Sequence, residues 1–145
     1  MSDFSLIGAW LGILGGITGV LALTLQISSF LFTFPKIKID LVHAYSSEGR
    51  PLVNIAVRNI RGHAVALNSI GIEYANGNHS PLGLFPIDSK SGPDLPVTLD
   101  AYSEQNWLIS KDSLIEAALQ QGVDNSFRGY GQTARKKYFS SKINL

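Results

Sequence analysis

The sequence predicts a mainly β protein: an N-terminal transmembrane α-helix followed by a small antiparallel β-sandwich with one short helix. Three observations carry this. No charged residue lies between Leu6 and Phe34. From Lys36 onward, apolar residues recur at every second position in short runs, separated by turns rich in Gly, Asn, Ser and Pro. One later stretch, Lys111 to Gln121, spaces its apolar residues as a helix face does. The expected division is residues 1–35 for the membrane helix and residues 36–145 for the β domain.

The apolar segment comes first. The chain has 145 residues, of which 16% are charged, and its mean hydropathy is +0.13. The excess is local, because the composition beyond Phe34 is that of an ordinary soluble domain. A bilayer core about 30 Å thick takes about 20 apolar residues in a helix. Leu6 to Phe34 exceeds that, so Gln26 to Phe34 is expected to continue into the interface or the helix to tilt. Trp10 near one end and Phe30, Phe32 and Phe34 near the other fit interfacial aromatics. A cleaved signal peptide needs a basic start and a shorter apolar run, whereas Asp3 and no Lys or Arg stands here. A soluble helix that is apolar all round needs a larger domain to bury it.

Small residues mark one face of that helix. Gly8, Gly12 and Gly16 are four apart, and Gly12, Gly15, Gly19, Ala22 and Gln26 follow at spacings of three and four. Small residues let a second helix approach closely, and Gln26 can hydrogen-bond across the contact. The expected partners are the lipid bilayer and either a second copy of the chain or a partner membrane protein. The competing reading is that glycine is simply common in such helices. For orientation, Asp3 precedes the segment, and Lys36 and Lys38 follow it, before Asp40 and Arg50. Basic residues beside a span stay cytoplasmic. The N-terminus is therefore expected outside the plasma (inner) membrane, with the β domain in the cytoplasm.

In the domain, Pro35 is expected to stop the helix. Ile37, Ile39 and Leu41 alternate with Lys36, Lys38 and Asp40 as a strand with one buried face. A turn over Ser46 to Pro51 follows. Val53, Ile55 and Val57 make a second strand, and Asn59 to His63 a turn. A third strand is expected from Ala64 to about Tyr74. Val65 and Leu67 have one parity and Ile70, Ile72 and Tyr74 the other, so a bulge near Asn68-Ser69 would bring both sets to one face. Ala75 to Pro81 reads as a turn, and Leu82 to Pro96 as a loop with short extended pieces. Val97 to Leu99 and Gln105 to Ile109 read as two more strands. In the helix Lys111 to Gln121, Ser110 or Asp112 is the expected cap, Leu114, Ile115, Ala118 and Leu119 the apolar stripe, and Gly122 the left-handed stop. Ser126 to Tyr130 and Lys136 to Ile143 read as a hairpin around Gly131 to Ala134. Six or seven short strands at regular spacing fit an antiparallel sandwich, with a small barrel as the alternative.

One stretch carries a resemblance. Val57-Arg58-Asn59-Ile60-Arg61-Gly62-His63-Ala64-Val65, then Ile70-Gly71-Ile72 and Asn76-Gly77, resembles a pattern in uncharacterised bacterial single-pass membrane proteins with an N-terminal transmembrane helix and an immunoglobulin-like β-sandwich. Trp107, Lys111 to Gln121 and Arg135 to Tyr138 stand where that pattern has a Trp-containing strand, a short helix and a basic terminal hairpin. The Asn59-to-Gly62 turn departs from it by one residue. The resemblance implies an immunoglobulin-like fold and carries no catalytic residues.

Chemistry-bearing residues are sparse. There is no cysteine, which excludes disulfides, thiolate nucleophiles and thiolate metal ligands. His43, His63 and His79 show no metal-ligand spacing, the 11 carboxylates are scattered, and Gly129-Tyr130-Gly131 is not followed by the Lys-Ser/Thr of a phosphate loop. No enzyme activity, metal or cofactor is expected. The feature above background is a basic strip of Arg128, Arg135, Lys136, Lys137 and Lys142, without acidic residues and interleaved with Tyr130, Tyr138 and Phe139. It reads as an edge strand protected by charge, then as a contact for anionic lipid or protein, with nucleic acid the least supported. The expected function is a single-pass membrane-anchored accessory or scaffold protein whose β domain binds a partner protein. The alternative is a membrane effector of a bacterial antiphage (antiviral) defence system, in which the β domain senses a signal and the helix disrupts the membrane.

Overall fold

A run without proline can satisfy its backbone groups within one helix, and it does so here from Ser2 to Thr33 (α1), which is uncharged beyond Asp3. This computed structural model describes residues 2–33 and 36–145, with side chains over 7–30 and 36–145. The proposed stop at Pro35 and the aromatic rings of Phe32 and Phe34 lie outside the described residues. At 32 residues, α1 is about 48 Å long, and it starts upstream of Leu6. Ile7–Phe30 is long and apolar enough to cross a membrane, and none of that window is buried. Three of its hydroxyls bond back within the helix. Thr18 Oγ1 donates to Leu14 O at 2.7 Å, Thr24 Oγ1 to Val20 O at 2.8 Å and Ser29 Oγ to Gln26 O at 2.9 Å, the back-bonding that lets hydroxyls sit in an apolar helix.

The chain divides into two compact units, Met1–Phe34 and Pro35–Leu145. The second is built from alternating residues. In β1 (Ile37–Tyr45) and β2 (Pro51–Asn59), Ile37, Ile39, Leu41, Val53, Ile55 and Val57 are all buried. Full burial of each such side chain is worth about 1.5–3 kcal/mol. The remaining strands are β3 (Val65–Leu67), β4 (Ser69–Tyr74), β5 (His79–Pro81), β6 (Lys90–Ser91), β7 (Val97–Leu99) and β8 (Glu104–Ser110). Helix α2 (Lys111–Gln120) then leads to β9 (Ser126–Gln132), β10 (Lys137–Phe139) and β11 (Ile143–Asn144).

All strand pairs are antiparallel and form two main sheets. The first has the order β1-β2-β8-β6 and the second β10-β9-β4-β5, with β11 also on β9. A small β3-β7 ladder stands apart from both. The sheets pack face to face. Gly129 and Gly131 of β9 lie against Ile39, Leu41 and Ile55 of the first sheet and Leu67 of β3. Trp107, at 1% exposure, fills the same core and donates its indole N–H to Pro93 O at 2.9 Å. The result is a mainly β, antiparallel two-layer domain with free sheet edges, as the alternation predicts, and not a closed barrel.

Several expectations are corrected. The stretch from Ala64 to Tyr74 is two strands in different sheets, not one bulged strand: β3 pairs with β7, whereas β4 pairs with β9 and β5. Both parities are buried because the chain changes sheets at Asn68, whose N–H donates to Gln132 O at 2.8 Å. β1 runs on past Leu41 to Tyr45, because backbone pairing with β2 continues after its side chains leave the core. His79–Pro81, expected in a turn, forms the edge strand β5, and Leu82–Leu84 and Ile87–Ser89 are 3₁₀ turns within the expected loop. In α2, Ser110 takes the N-cap position but makes no side-chain cap bond. Leu114 and Ala118 are fully buried while Leu119 is 70% exposed, so the stripe turns toward Ala117. Gly122 ends α2 with φ +66°, a conformation glycine adopts without strain. The terminal return strand is broken into β10 and β11. At the break Ser140 N donates to Gly129 O at 2.8 Å, and Gly129 N donates to Ser140 Oγ at 2.8 Å, so a side chain replaces one rung of the ladder.

Candidate functional site

Register decides which loops share an end of the sandwich. Ile37 pairs with Asn59, Arg58 with Glu104 and Ser69 with Gln132. The start of β1, the 60–64 loop, the 100–103 loop and the 133–136 hairpin tip therefore lie at one end, where the chain enters the domain. Asn59 stitches this entry end. It is fully buried, and its Nδ2 donates to His63 O at 2.7 Å, Asp100 O at 3.0 Å and Leu99 O at 3.3 Å. Its Oδ1 accepts from Arg61 N at 3.1 Å. Ile60 N donates to Lys36 O at 3.0 Å and Tyr102 N to Arg61 O at 3.2 Å. The hairpin tip is held by buried Thr133, whose Oγ1 donates to Lys136 O at 3.1 Å and accepts from Lys136 N at 3.2 Å.

The basic strip of the sequence divides between three places. Arg135, Lys136 and Lys137 are exposed on the entry-end hairpin, at the same end of the domain as exposed Lys36. Lys136 Nζ lies 5.5 Å from the ring centre of Tyr138, and Lys137 Nζ 5.2 Å from that of Tyr130. At that range each ammonium is drawn to the face of its ring while the side chain as a whole stays exposed. Lys142 is exposed beside β11, at the other end of β9. Arg128 lies mid-sheet in an ion pair, described below. Of the interleaved tyrosines only Tyr138 packs against the core; Tyr130 points to the outer face of the second sheet, where Gly71 and His79 cover it to 2% exposure. Burial raises both phenols above their ordinary range, and a Ser69 hydrogen bond partly offsets this at Tyr130. Two ion pairs also stand at this end: Lys38 Nζ is 3.2 Å from Asp40 Oδ2, and Arg58 Nη2 is 2.6 Å from Glu104 Oε2. That Arg58 hydrogen bond holds the Glu104 carboxyl below its usual range.

On α1, Gly8, Gly12, Gly15, Gly16, Gly19, Ala22 and Gln26 are exposed. At about 100° per residue they fall within an arc of about 120°. A Cβ placed on any of the five glycines would meet nothing within 4 Å. The Gln26 side-chain amide has no hydrogen-bond partner among the described residues.

A polar cluster that sequence reasoning missed covers the outer face of the second sheet. Glu73 pairs across the strands with His79 and Arg128. Its Oε1 accepts from Arg128 Nη2 at 2.7 Å, and its Oε2 lies 3.2 Å from His79 Nε2. The Arg128 guanidinium carbon sits 4.2 Å over the Phe139 ring, and the His79 ring is 5.1 Å from that of Tyr130. Tyr130 lies flat across Gly71, where a Cβ would approach its ring to 2.9 Å and Ser80 O more closely still. The sequence signal was a lone acidic residue in the run Ile70-Gly71-Ile72-Glu73-Tyr74, but its partners follow only from register. Among the described residues, no group of three or more His, Cys, Asp or Glu is placed to hold a metal ion. Glu73→Ala is expected to destabilise the domain by about 2 kcal/mol, because it leaves Arg128 half-buried without its anion. Equilibrium denaturation checks this; an unchanged midpoint would make the pair ornamental.

Compared with models of known protein families and with curated proteins, the chain matches none.

Proposed function

We propose that the chain is a single-pass membrane-anchored accessory protein whose immunoglobulin-like domain, on the cytoplasmic side, binds a partner protein. The supporting observation for the anchor is the 24-residue window Ile7–Phe30, uncharged and with none of it buried. In a domain of this size an exposed apolar helix has a strong drive into lipid. The cytoplasmic placement draws on Lys36 and Lys38 after the apolar window, against Asp3 before it. The partner-binding part draws on the 82–89 loop. Leu84 is 76% exposed and Ile87 83% exposed, and Leu84, Phe85 and Pro86 line an open cleft against Ala117 and Gln120 of α2. Exposed apolar groups beside a cleft mark protein contacts more often than chance.

The small-residue arc on α1 makes the anchor self-associating in this reading, with Gln26 donating across the contact. Crosslinking of the intact protein in membranes is expected to give oligomers that Gly12→Leu plus Gly16→Leu abolishes. A monomer in both forms would remove association from the proposal. The cytoplasmic placement is tested by a reporter fused after Leu145: activity of a periplasm-dependent reporter would reverse it.

A further inference from the structure

The entry end assembles a charged surface that no single segment carries. Exposed Lys36, Arg135, Lys136 and Lys137 meet there, and none is in an ion pair among the described residues. Asp100 is the exposed acid nearby, while Asp40 and Glu104 are committed to Lys38 and Arg58. At the opposite end the charges are mixed: Glu48, Asp88 and Asp112 share a cleft with Arg50 and Lys90. The basic surplus is thus confined to the end where the chain enters. Tyr102 stands at the same end, 75% exposed, at φ +56° and with its hydroxyl over Gly62. A half-apolar ring with a polar tip suits a water–lipid boundary.

We propose that this end is a docking surface for anionic lipid headgroups, so that the β domain rests on the bilayer that holds α1. The proposal rests on the membrane-anchored reading above. Only Phe34 and Pro35 separate Thr33 of α1 from Lys36. Residues that follow a span pass through the headgroup layer, where basic side chains gain from anionic lipid. Nucleic acid fits less well. Binding a single strand takes a row of exposed rings for stacking, whereas Tyr130 is buried and Tyr138 packs against the core.

The test uses the full chain in lipid nanodiscs. The chain has no cysteine, so Ala134→Cys at the hairpin tip and Ser47→Cys at the opposite end each take one fluorophore. Quenching by headgroup-labelled lipid is read in neutral discs and in discs with about one-third anionic lipid. Quenching at position 134 is expected to rise several-fold with anionic lipid, and position 47 to stay unchanged. About 0.5 M salt should reverse the rise, since it shortens screening to a few ångströms. Arg135→Gln, Lys136→Gln and Lys137→Gln together are expected to cut the docked-to-undocked ratio about a hundred-fold, at roughly five-fold per basic residue. Near-UV circular dichroism confirms that the triple variant keeps its core. Equal quenching in neutral and anionic discs overturns docking while leaving the anchor intact. Failure of the chain to enter even neutral discs overturns the anchor, and docking with it. Binding of single-stranded RNA through the same three residues, without any lipid dependence, assigns the surface to nucleic acid and overturns the lipid proposal.

Discussion

Asn59→Ala is expected to lower the unfolding free energy of the β domain by about 3 kcal/mol, the cost of stranding buried polar groups. The side chain is fully buried and makes four hydrogen bonds, three as donor and one as acceptor. Alanine leaves Leu99 O without that donor in a site where Leu99 itself is fully buried. The carbonyls of His63 and Asp100 belong to exposed residues, so water can replace the amide there and only part of the loss is felt. The effect should be local as well as global. Asn59 ties the 60–64 loop to the 100–103 loop, so the entry end should loosen before the rest of the sandwich opens. Urea denaturation in detergent, followed by Trp107 in a Trp10→Phe background, measures the first effect. Hydrogen exchange at Tyr102 and Arg61, whose backbone is joined at 3.2 Å, measures the second. Asn106→Ala on the exposed face of β8 is the control, expected to cost under about 1 kcal/mol. Equal midpoints for the two variants would show that Asn59 holds nothing together.

What was legible in the sequence follows from how far each interaction reaches along the chain. Val53, Ile55 and Val57 alternate cleanly, and all three are fully buried. A strand with one wet face writes its burial into its own neighbours. Gly122 was legible for the same reason, since a helix stop is settled within one turn. Where the chain changes partner, local pattern fails. The parity switch between Leu67 and Ile70 was visible, yet a bulge and a change of sheet give the same pattern. Only the pairing of β3 with β7 and of β4 with β9 separates them. Leu119 was misplaced because a ten-residue helix allows more than one apolar stripe, and the packing of Leu114 and Ala118 chooses among them.

The candidate surfaces divide along the same line. The five basic residues near the C-terminus were readable as a composition, but not as a place. Register sends Arg128 to Glu73, Lys142 to one end, and Arg135, Lys136 and Lys137 to the other, the end at which Lys36 stands. Lys36 and Arg135 come from opposite halves of the sequence, so their placement at one end could not be read before the sheets were known. The Glu73 cluster was hidden for the same cause: a carboxylate between His79 and Arg128 needs two strand registers to be fixed at once.

The apolar helix is the most legible element and carries the most consequence. Ile17→Arg plus Leu21→Arg is therefore expected to remove the protein from membranes. Both residues lie on the far side of α1 from Gly8, Gly12, Gly16 and Gln26, at about 100° per residue, so the change leaves the small-residue face alone. Both fall inside the Ile7–Phe30 window and are more than half exposed. An arginine near the centre of a span costs about 2.5–3.5 kcal/mol on insertion scales. Two cost about 6 kcal/mol together, a shift of roughly four powers of ten in partition. Flotation and alkaline extraction read that shift directly, with intact mass establishing that the helix is still attached. The β domain should be unaffected, with the Trp107 environment as its marker, because none of the window is buried. Were the variant to float with membranes as the parent does, α1 would not be what holds the chain there. Were the mature protein to lack α1 altogether, the helix would be a targeting segment, and the basic entry end would have no bilayer tethered beside it.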